Sequence, residues 1–453
     1  SNLKKTWYYL QKNGIRNAVW AVLERIGQEQ EVYTWQEPDE KTLSFQREHS
    51  ASLRISIVVP AYRTKKEHLE AMLNSVSRQS YPHWELIVAD AGGTAESVQA
   101  WAKKNGICLR KAADASNLAE WMDQSIMLCT LSENKGISAN TNAGIELAAG
   151  DAVGLLDHDD LLTANALWEM ADCLEKEKKR GKQKLVLFSD EDKCDGAASR
   201  FYEPNFKPDF DGELLLTNNY ICHFTVIETA FLKELKLRSG FDGAQDYDLM
   251  LRAYAAGGQF VHVPKVLYHW RCHEASTASN PQSKRYAYEA GQRALEDYCL
   301  RKGWKATVSG LKHLGFYRED YEDSVFCQRP EIGIWAKPLP GGRDVFGIRH
   351  PKGFLVSGLY ENDGSMRYAG LRKGYSGPMH RAALQQSAPA ADLRSMEVCS
   401  ALKERYAQTI AELKEACQGL STAAQETKIL QKSMEFCKEA TAAGYGILWD
   451  PQA

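Results

Sequence analysis

Three carboxylates close one apolar run in this 453-residue chain, Leu155-Leu156-Asp157-His158-Asp159-Asp160. Hard divalent cations take oxygen ligands, and Mg2+ or Mn2+ commonly shares them with substrate phosphates. Carboxylates crowded at the mouth of a strand repel one another unless something positive binds there. The run therefore reads as a cation site able to anchor a diphosphate. It reads equally as a solvated acidic turn, with Asp160 capping a helix that opens at Leu161-Leu162-Thr163.

For the first reading to hold, the flanking sequence must build a sheet. Residues 55–60 and 84–90 are apolar runs of strand length that end in Tyr62 and Asp90, and helical patterns at 67–79 and 94–105 follow them. The spacing then predicts a short strand at 107–109, a helix at 138–149 and a strand at 152–156 that runs straight into Asp157. A helix at 164–178 and a strand at 185–188, ending in Ser189-Asp190-Glu191-Asp192, come next. Such alternation predicts an α/β fold with a parallel sheet. In open sheets of that kind ligands bind at the carboxyl ends of the strands, where Tyr62, Asp90 and Asp157 fall.

Composition removes several function classes. The formal charge is −3 and the sequence pI about 6.4, so no basic face for nucleic acid is expected. Mean hydropathy is −0.45, and no apolar run approaches the ~20 residues of a membrane-spanning helix. The eleven cysteines are scattered singly with no CxxC pair, which argues against a zinc or dithiol site and for a reducing, cytoplasmic setting. No secretion signal is read at the start, and Ser1-Asn2 without Met resembles a tag-cleavage scar.

Three further segments join the acidic run: Val59-Pro60-Ala61-Tyr62, Glu85-Leu86-Ile87-Val88-Ala89-Asp90, and Glu133-Asn134-Lys135-Gly136-Ile137-Ser138-Ala139-Asn140-Thr141-Asn142. Downstream come Phe241-Asp242-Gly243-Ala244-Gln245-Asp246 and Leu267-Tyr268-His269-Trp270-Arg271-Cys272-His273. In this order and spacing, residues 54–305 resemble the family-2 glycosyltransferases of the GT-A fold, a Rossmann-like mixed sheet that binds nucleotide diphospho-sugars. The resemblance implies an inverting, metal-dependent sugar transferase of bacterial cell-surface polysaccharide synthesis. Its donor would be a UDP-, dTDP- or GDP-sugar, its acceptor a saccharide or lipid-linked saccharide, and its cofactor Mg2+ or Mn2+.

Roles follow position by position. Pro60, Tyr62 and Asp90 would frame the base and ribose, and Asn134, Gly136 and Asn142 would shape the wall beside the nucleotide. Asp157 would touch ribose or sugar, while Asp159, Asp160 and His273 would hold the metal. Arg271, whose guanidinium fork suits phosphate oxygens, and His269 would meet the diphosphate. Asp246 would be the catalytic base, although an N-cap on a helix at 248–256 is its structural alternative. Tyr220 and Trp270 would stack on the acceptor. Ala91 and Thr141 depart from the family pattern, which commonly places an acid and an arginine there.

Three parts are expected: a helical N-terminal arm and linker (1–52), the transferase domain (53–305), and a smaller accessory α+β region (306–453). The amphipathic arm suits packing on the main domain or peripheral contact with the inner face of the plasma membrane. Within 306–453, residues 390–443 read as helical throughout. A stretch from Asp248-Leu249-Met250 to Pro264 matches one from Glu435-Phe436-Cys437 to Pro451 at one constant separation, as chance or as a degenerate second transferase module. An inactive scaffold in a polysaccharide-assembly complex stays open as an alternative, and a sugar nucleotidyltransferase less so, because Pro60-Ala61-Tyr62-Arg63-Thr64 lacks a Gly-rich loop.

Overall fold

The computed structural model describes residues 33–113, 121–272, 285–311, 314–336, 358–359 and 393–449. The expected arm at 3–30 therefore lies outside the described residues, as does His273. The chain divides at Trp35, and everything from Gln36 onward is one compact unit. The polar stretch read as linker contains a helix, Glu40–Glu48, that starts on the Asp39 side chain and buries Leu43 and Gln46. Among the described residues, no helix is long and apolar enough to cross a membrane.

The strands in chain order are β1 (Ile55–Ala61), β2 (Trp84–Asp90), β3 (Cys108–Lys111), β4 (Ser125–Thr130), β5 (Ala152–Leu155), β6 (Leu161–Leu162), β7 (Leu185–Cys194), β8 (Phe201–Asn205), β9 (Thr225–Glu228) and β10 (Gln259–Arg271). They form one sheet in the order β3-β4-β2-β1-β5-β9-β7-β10-β6, with β8 paired to β7. The β3-β4-β2-β1-β5 half is parallel. β9 then runs antiparallel between β5 and β7, which makes the sheet mixed. β1 and β2 read as continuous apolar runs because helices cover both faces. Helices Lys66–Ser77, Ala95–Asn105 and Ala166–Lys179 pack on one side. Ile137–Leu147, Gly212–Thr217, Gln245–Ala255 and Arg285–Lys302 pack on the other.

Two sequence expectations change. No helix follows Asp160, because β6 pairs there with β10, so Asp160 is not a helix cap. The strand expected to stop at Phe188 continues to Cys194 and carries Asp190, Glu191 and Asp192 into the interior. It can do so because each acid meets a basic group: His262 at 2.9 Å, Lys207 at 3.4 Å and His269 at 2.5 Å respectively.

Beyond helix Arg285–Lys302, β11 (Ala306–Gly310) and β12 (Tyr317–Tyr321) form a hairpin whose Val308 and Tyr317 join the main core. A second core starts near Ile334. It belongs to a small sheet of β13 (Ile332–Ala336), β14 (Gly358–Leu359), β15 (Met396–Val398) and β16 (Gly446–Trp449), in the order β14-β16-β13-β15. Helices Lys403–Ala416 and Thr422–Ala442 cover it, so the stretch expected to be helical throughout is broken by β15 and by the turn between the helices.

The internal match extends into geometry. After helix Gln245–Ala255, Gly257 and Gly258 close the C-terminus on Tyr254 O and Ala253 O. After helix Thr422–Ala442, Gly444 and Tyr445 close on Thr441 O and Ala440 O at the matching positions. Each helix then feeds a strand, β10 or β16, that joins β7 or β13 in parallel, and each of those partners is flanked by an antiparallel strand, β9 or β15. The residue matching Asp246 is Ser433, buried and bonded to Ile429 O and Leu393 N.

Candidate active site

The register of β9 against β5 places Thr225 beside Leu155, so residues 218–224 enter the sheet where β5 gives way to Asp157–Asp160. Beyond the acidic turn, Leu162 pairs with Tyr268 of β10. One end of the sheet thus collects the acidic turn, the 218–224 loop and the last residues of β10.

Within it, Asp157, Asp160 and His223 bring one ligand atom each to within 4.8 Å of one another. The His223 ring stacks on Tyr268 at 4.6 Å. Asp160 is buried and held from two sides: the Tyr268 hydroxyl donates to Oδ2 at 2.5 Å, and the Arg271 main-chain N–H donates to Oδ1 at 2.7 Å. Burial pushes its carboxyl well above the usual range, and the charges of Asp159 and Asp157 push further. Burial also raises Asp157, with Asp159 and Asp246 adding to the effect and His223 and His158 opposing it. Clustered acids that resist ionisation in this way, beside an imidazole nitrogen, are a donor set that a divalent cation relieves. The residues fit Mg2+ or Mn2+.

That set differs from the expected one. Asp157 joins the cluster where Asp159 was expected, and the histidine it includes is His223; His273 lies outside the described residues. Asp159 lies beside, with its side chain 4.0 Å from His158 and its carbonyl accepting from Arg271 Nε. Arg271 is also relocated: it is 2% exposed, its Nη1 donates to Gly196 O, and it braces the acidic turn from beneath. His269 is buried, paired with Asp192 and packed against Phe201, because the β7–β10 register sets it opposite that acid. Both side chains are buried; His269 is engaged by Asp192, while Arg271 Nη2 has no hydrogen-bond partner among the described residues.

Among the residues expected to meet a nucleotide, Tyr62 is 40% exposed just past β1, with Arg63 5.1 Å from its ring centre. Pro60 is half-buried at the end of β1. Asp90 is buried and accepts main-chain N–H groups from Gly92, Thr94 and Ala95, which fixes the turn beneath Tyr62. Asn134 Oδ1 accepts from Gly136 N and Asn140 Nδ2. Gly136 has φ +96°, and a Cβ there would lie 2.3 Å from Asp242 Oδ2, so only glycine fits. The Asn142 amide is spent on both main-chain groups of Leu237.

Asp246 lies in the first turn of helix Gln245–Ala255, whose N-cap is Ala244. The capping explanation therefore fails. Its Oδ2 accepts from Asn219 Nδ2 at 2.8 Å and from the Cys222 thiol at 3.3 Å. Tyr220 is core: its ring meets Phe188 edge-on and its oxygen accepts from Asp211 N, so it cannot stack on an acceptor. Trp270 is part-exposed, 6.0 Å from His223.

Sequence reasoning placed the run Asn218–His223 on the acceptor side but did not connect His223 with the acidic turn, or Asn219 and Cys222 with Asp246. Their only signal was position in the polar run between the acidic turn and Asp246. Nor did it give Lys207 a role. That buried ammonium donates to Ile221 O at 2.5 Å and to His223 O, and thereby holds the loop.

Comparison with known proteins gives this geometry a family. Residues 56–235 match the model described as glycosyl transferase family 2; the match ends before Asp246. An uncharacterized protein, y4gI of Sinorhizobium fredii, is 36% identical over 255 residues, 56% of this chain and 26% of that protein. O-antigen biosynthesis protein RfbC of Myxococcus xanthus is 34% identical over 256 residues, 56% of this chain and 19% of that one. This chain therefore spans about a quarter or less of either relative. The amylovoran biosynthesis glycosyltransferase AmsB of Erwinia amylovora is 27% identical over 231 residues, 48% of this chain and 70% of that protein. Among solved structures, S. aureus TarS 1-349 aligns with 18% identity and a TM-score of 0.40 over 55% of this chain and 66% of that one. The family match and the acidic cluster fall on the same sheet: residues 56–235 are similar to glycosyl transferase family 2 and belong to a mixed α/β fold.

Proposed function

We propose that the domain transfers a sugar, with inversion, from a nucleoside diphospho-sugar to a saccharide or lipid-linked saccharide in bacterial surface-polysaccharide synthesis. The observation that carries the reading is the convergence of Asp246 with Asp157, Asp160 and His223 at one end of the sheet; the Asp246 charge is felt by the Asp157 carboxyl. Relatives named for O-antigen and amylovoran biosynthesis support the polysaccharide setting.

Tyr62 offers a face for the base, and the turn fixed by Asp90 backs it. Asp157, Asp160 and His223 would hold the divalent cation, which when bound neutralises charge on the departing diphosphate. Asp246 takes the proton of the acceptor hydroxyl as that oxygen bonds to the anomeric carbon. The bond from that carbon to the diphosphate oxygen breaks, its electron pair leaves with the nucleoside diphosphate, and the proton on Asp246 passes to solvent. Opposite-face attack in one displacement inverts the centre.

The test is release of nucleoside diphosphate from a panel of UDP-, dTDP- and GDP-sugars with Mn2+ or Mg2+. Metal-dependent turnover that Asp246→Asn abolishes is the expected result. No binding or turnover of any donor with either metal would overturn the reading.

A further inference from the structure

The two oxygens of Asp246 are treated differently. Oδ2 accepts both the Asn219 amide and the Cys222 thiol, whereas Oδ1 has no hydrogen-bond partner among the described residues. Asn219 is not a structural asparagine of the Asn142 kind, which satisfies two main-chain groups at once. Its own Oδ1 is buried without a partner among the described residues, and its amide is oriented by the carboxylate alone. The Cys222 thiol donates to the same carboxylate oxygen at 3.3 Å. Both residues sit on a loop that Lys207 clamps through the carbonyls of Ile221 and His223, with Glu191 as its counter-charge. The clamp fixes the donors rather than leaving them to find the carboxylate.

We propose that Asn219 and Cys222 are positioning residues that commit Oδ2 of Asp246 to the protein and leave Oδ1 as the oxygen that receives the acceptor proton. The proposal rests on the reading of Asp246 as base. A carboxylate with both oxygens free rotates about its terminal bond and presents its lone pairs in many directions. Two donors on one oxygen hold the plane of the group and thus the line along which Oδ1 meets the hydroxyl.

The experiment compares wild type with Asn219→Ala, Cys222→Ala, Cys222→Ser and Asp246→Asn. It uses whichever donor of the panel wild type turns over fastest, and it measures kcat and donor KM separately. Binding of that donor's nucleoside diphosphate with Mn2+ is followed by thermal shift. Both alanine variants are expected to lose about tenfold or more in kcat, as for one hydrogen bond to a charged group. Donor KM and nucleotide binding should stay as in wild type. Serine at 222, whose hydroxyl also donates, should recover most of the loss; a fold-only role for Cys222 would not show that split or that rescue. Wild-type kcat in both alanine variants, with Asp246→Asn dead, would overturn the positioning role alone. Wild-type turnover by Asp246→Asn would overturn the base reading and the proposal with it. Alanine variants that lose nucleotide binding in step with kcat would also overturn the proposal.

Discussion

Tyr268 and Asp160 are joined by a 2.5 Å hydrogen bond between strand β10 and the acidic turn, fully buried on both sides. The phenol is fixed in turn by the stacked His223 ring. A single hydroxyl therefore touches one member of the cation cluster and its ring aligns another. Tyr268→Phe keeps the ring and the stacking and removes the one donor to Oδ2. Loss of an outer partner of a metal ligand costs roughly 10–100-fold in metal affinity. The expected outcome is a rise of at least tenfold in the Mn2+ concentration for half-saturation, measured by direct titration, with an unchanged circular dichroism spectrum. Wild-type affinity in this variant would remove Tyr268 from the site.

His223 and His269 make opposite predictions. His223 faces Asp157 and Asp160, whereas His269 is buried against Asp192 and Phe201. His223→Ala should weaken Mn2+ binding by more than tenfold and leave melting temperature nearly as in wild type. His269→Ala should do the reverse, since it removes a hydrogen bond to a buried carboxylate, a change worth about 1.5–3 kcal/mol of stability. The same two titrations and two melting curves decide both.

The sequence carried the first half of the sheet well, for a physical reason. β1 and β2 are covered on both faces, so their apolar runs are local facts, and so is the acid-rich end of β5. What could not be read depends on partners distant along the chain. Asp190, Glu191 and Asp192 look like a surface run until β7 is paired with β10 and His262, Lys207 and His269 arrive opposite them. His223 reaches the acidic turn only because β9 inserts antiparallel between β5 and β7. Arg271 has the chemistry of a phosphate clamp, but the same pairing turns it inward beneath Asp159. Residue type suggested the chemistry; register decided which residues meet.

Glu319 on β12 gives the protein a pH-dependent stability term outside the site. Its Oε1 is buried with no partner among the described residues, and burial, together with the nearby Glu213 charge, raises its carboxyl to about 8. The folded state thus holds this proton more tightly than the unfolded chain, whose carboxyl titrates near its ordinary value of about 4.5. Folding is favoured below that lower value, and the contribution is lost as pH rises through the window up to about 8. Glu319→Gln mimics the protonated form. The variant should match wild type in melting temperature at pH 5 and exceed it by several degrees at pH 8, as scanning calorimetry at the two pH values would read. Equal melting temperatures at both would show that the side chain is solvated.

Ser433 tests what the C-terminal unit is for. It stands where the internal match would place Asp246, in a helix closed by the same C-terminal hydrogen bonds and followed by the same kind of strand. Yet its hydroxyl is buried, donating to Ile429 O at 2.7 Å and accepting from Leu393 N at 3.1 Å. A side chain whose donor and acceptor are both used inside its own core cannot serve an acceptor sugar. Ser433→Ala leaves the Leu393 N–H buried without that partner, at a cost of about 1–3 kcal/mol. Melting temperature should therefore fall by a few degrees, while kcat per folded molecule stays at the wild-type value. Asp246→Asn should give the opposite pattern, with turnover lost and stability kept. If Ser433→Ala instead abolished turnover in protein that remained folded, the core around Ser433 would belong to the catalytic machinery.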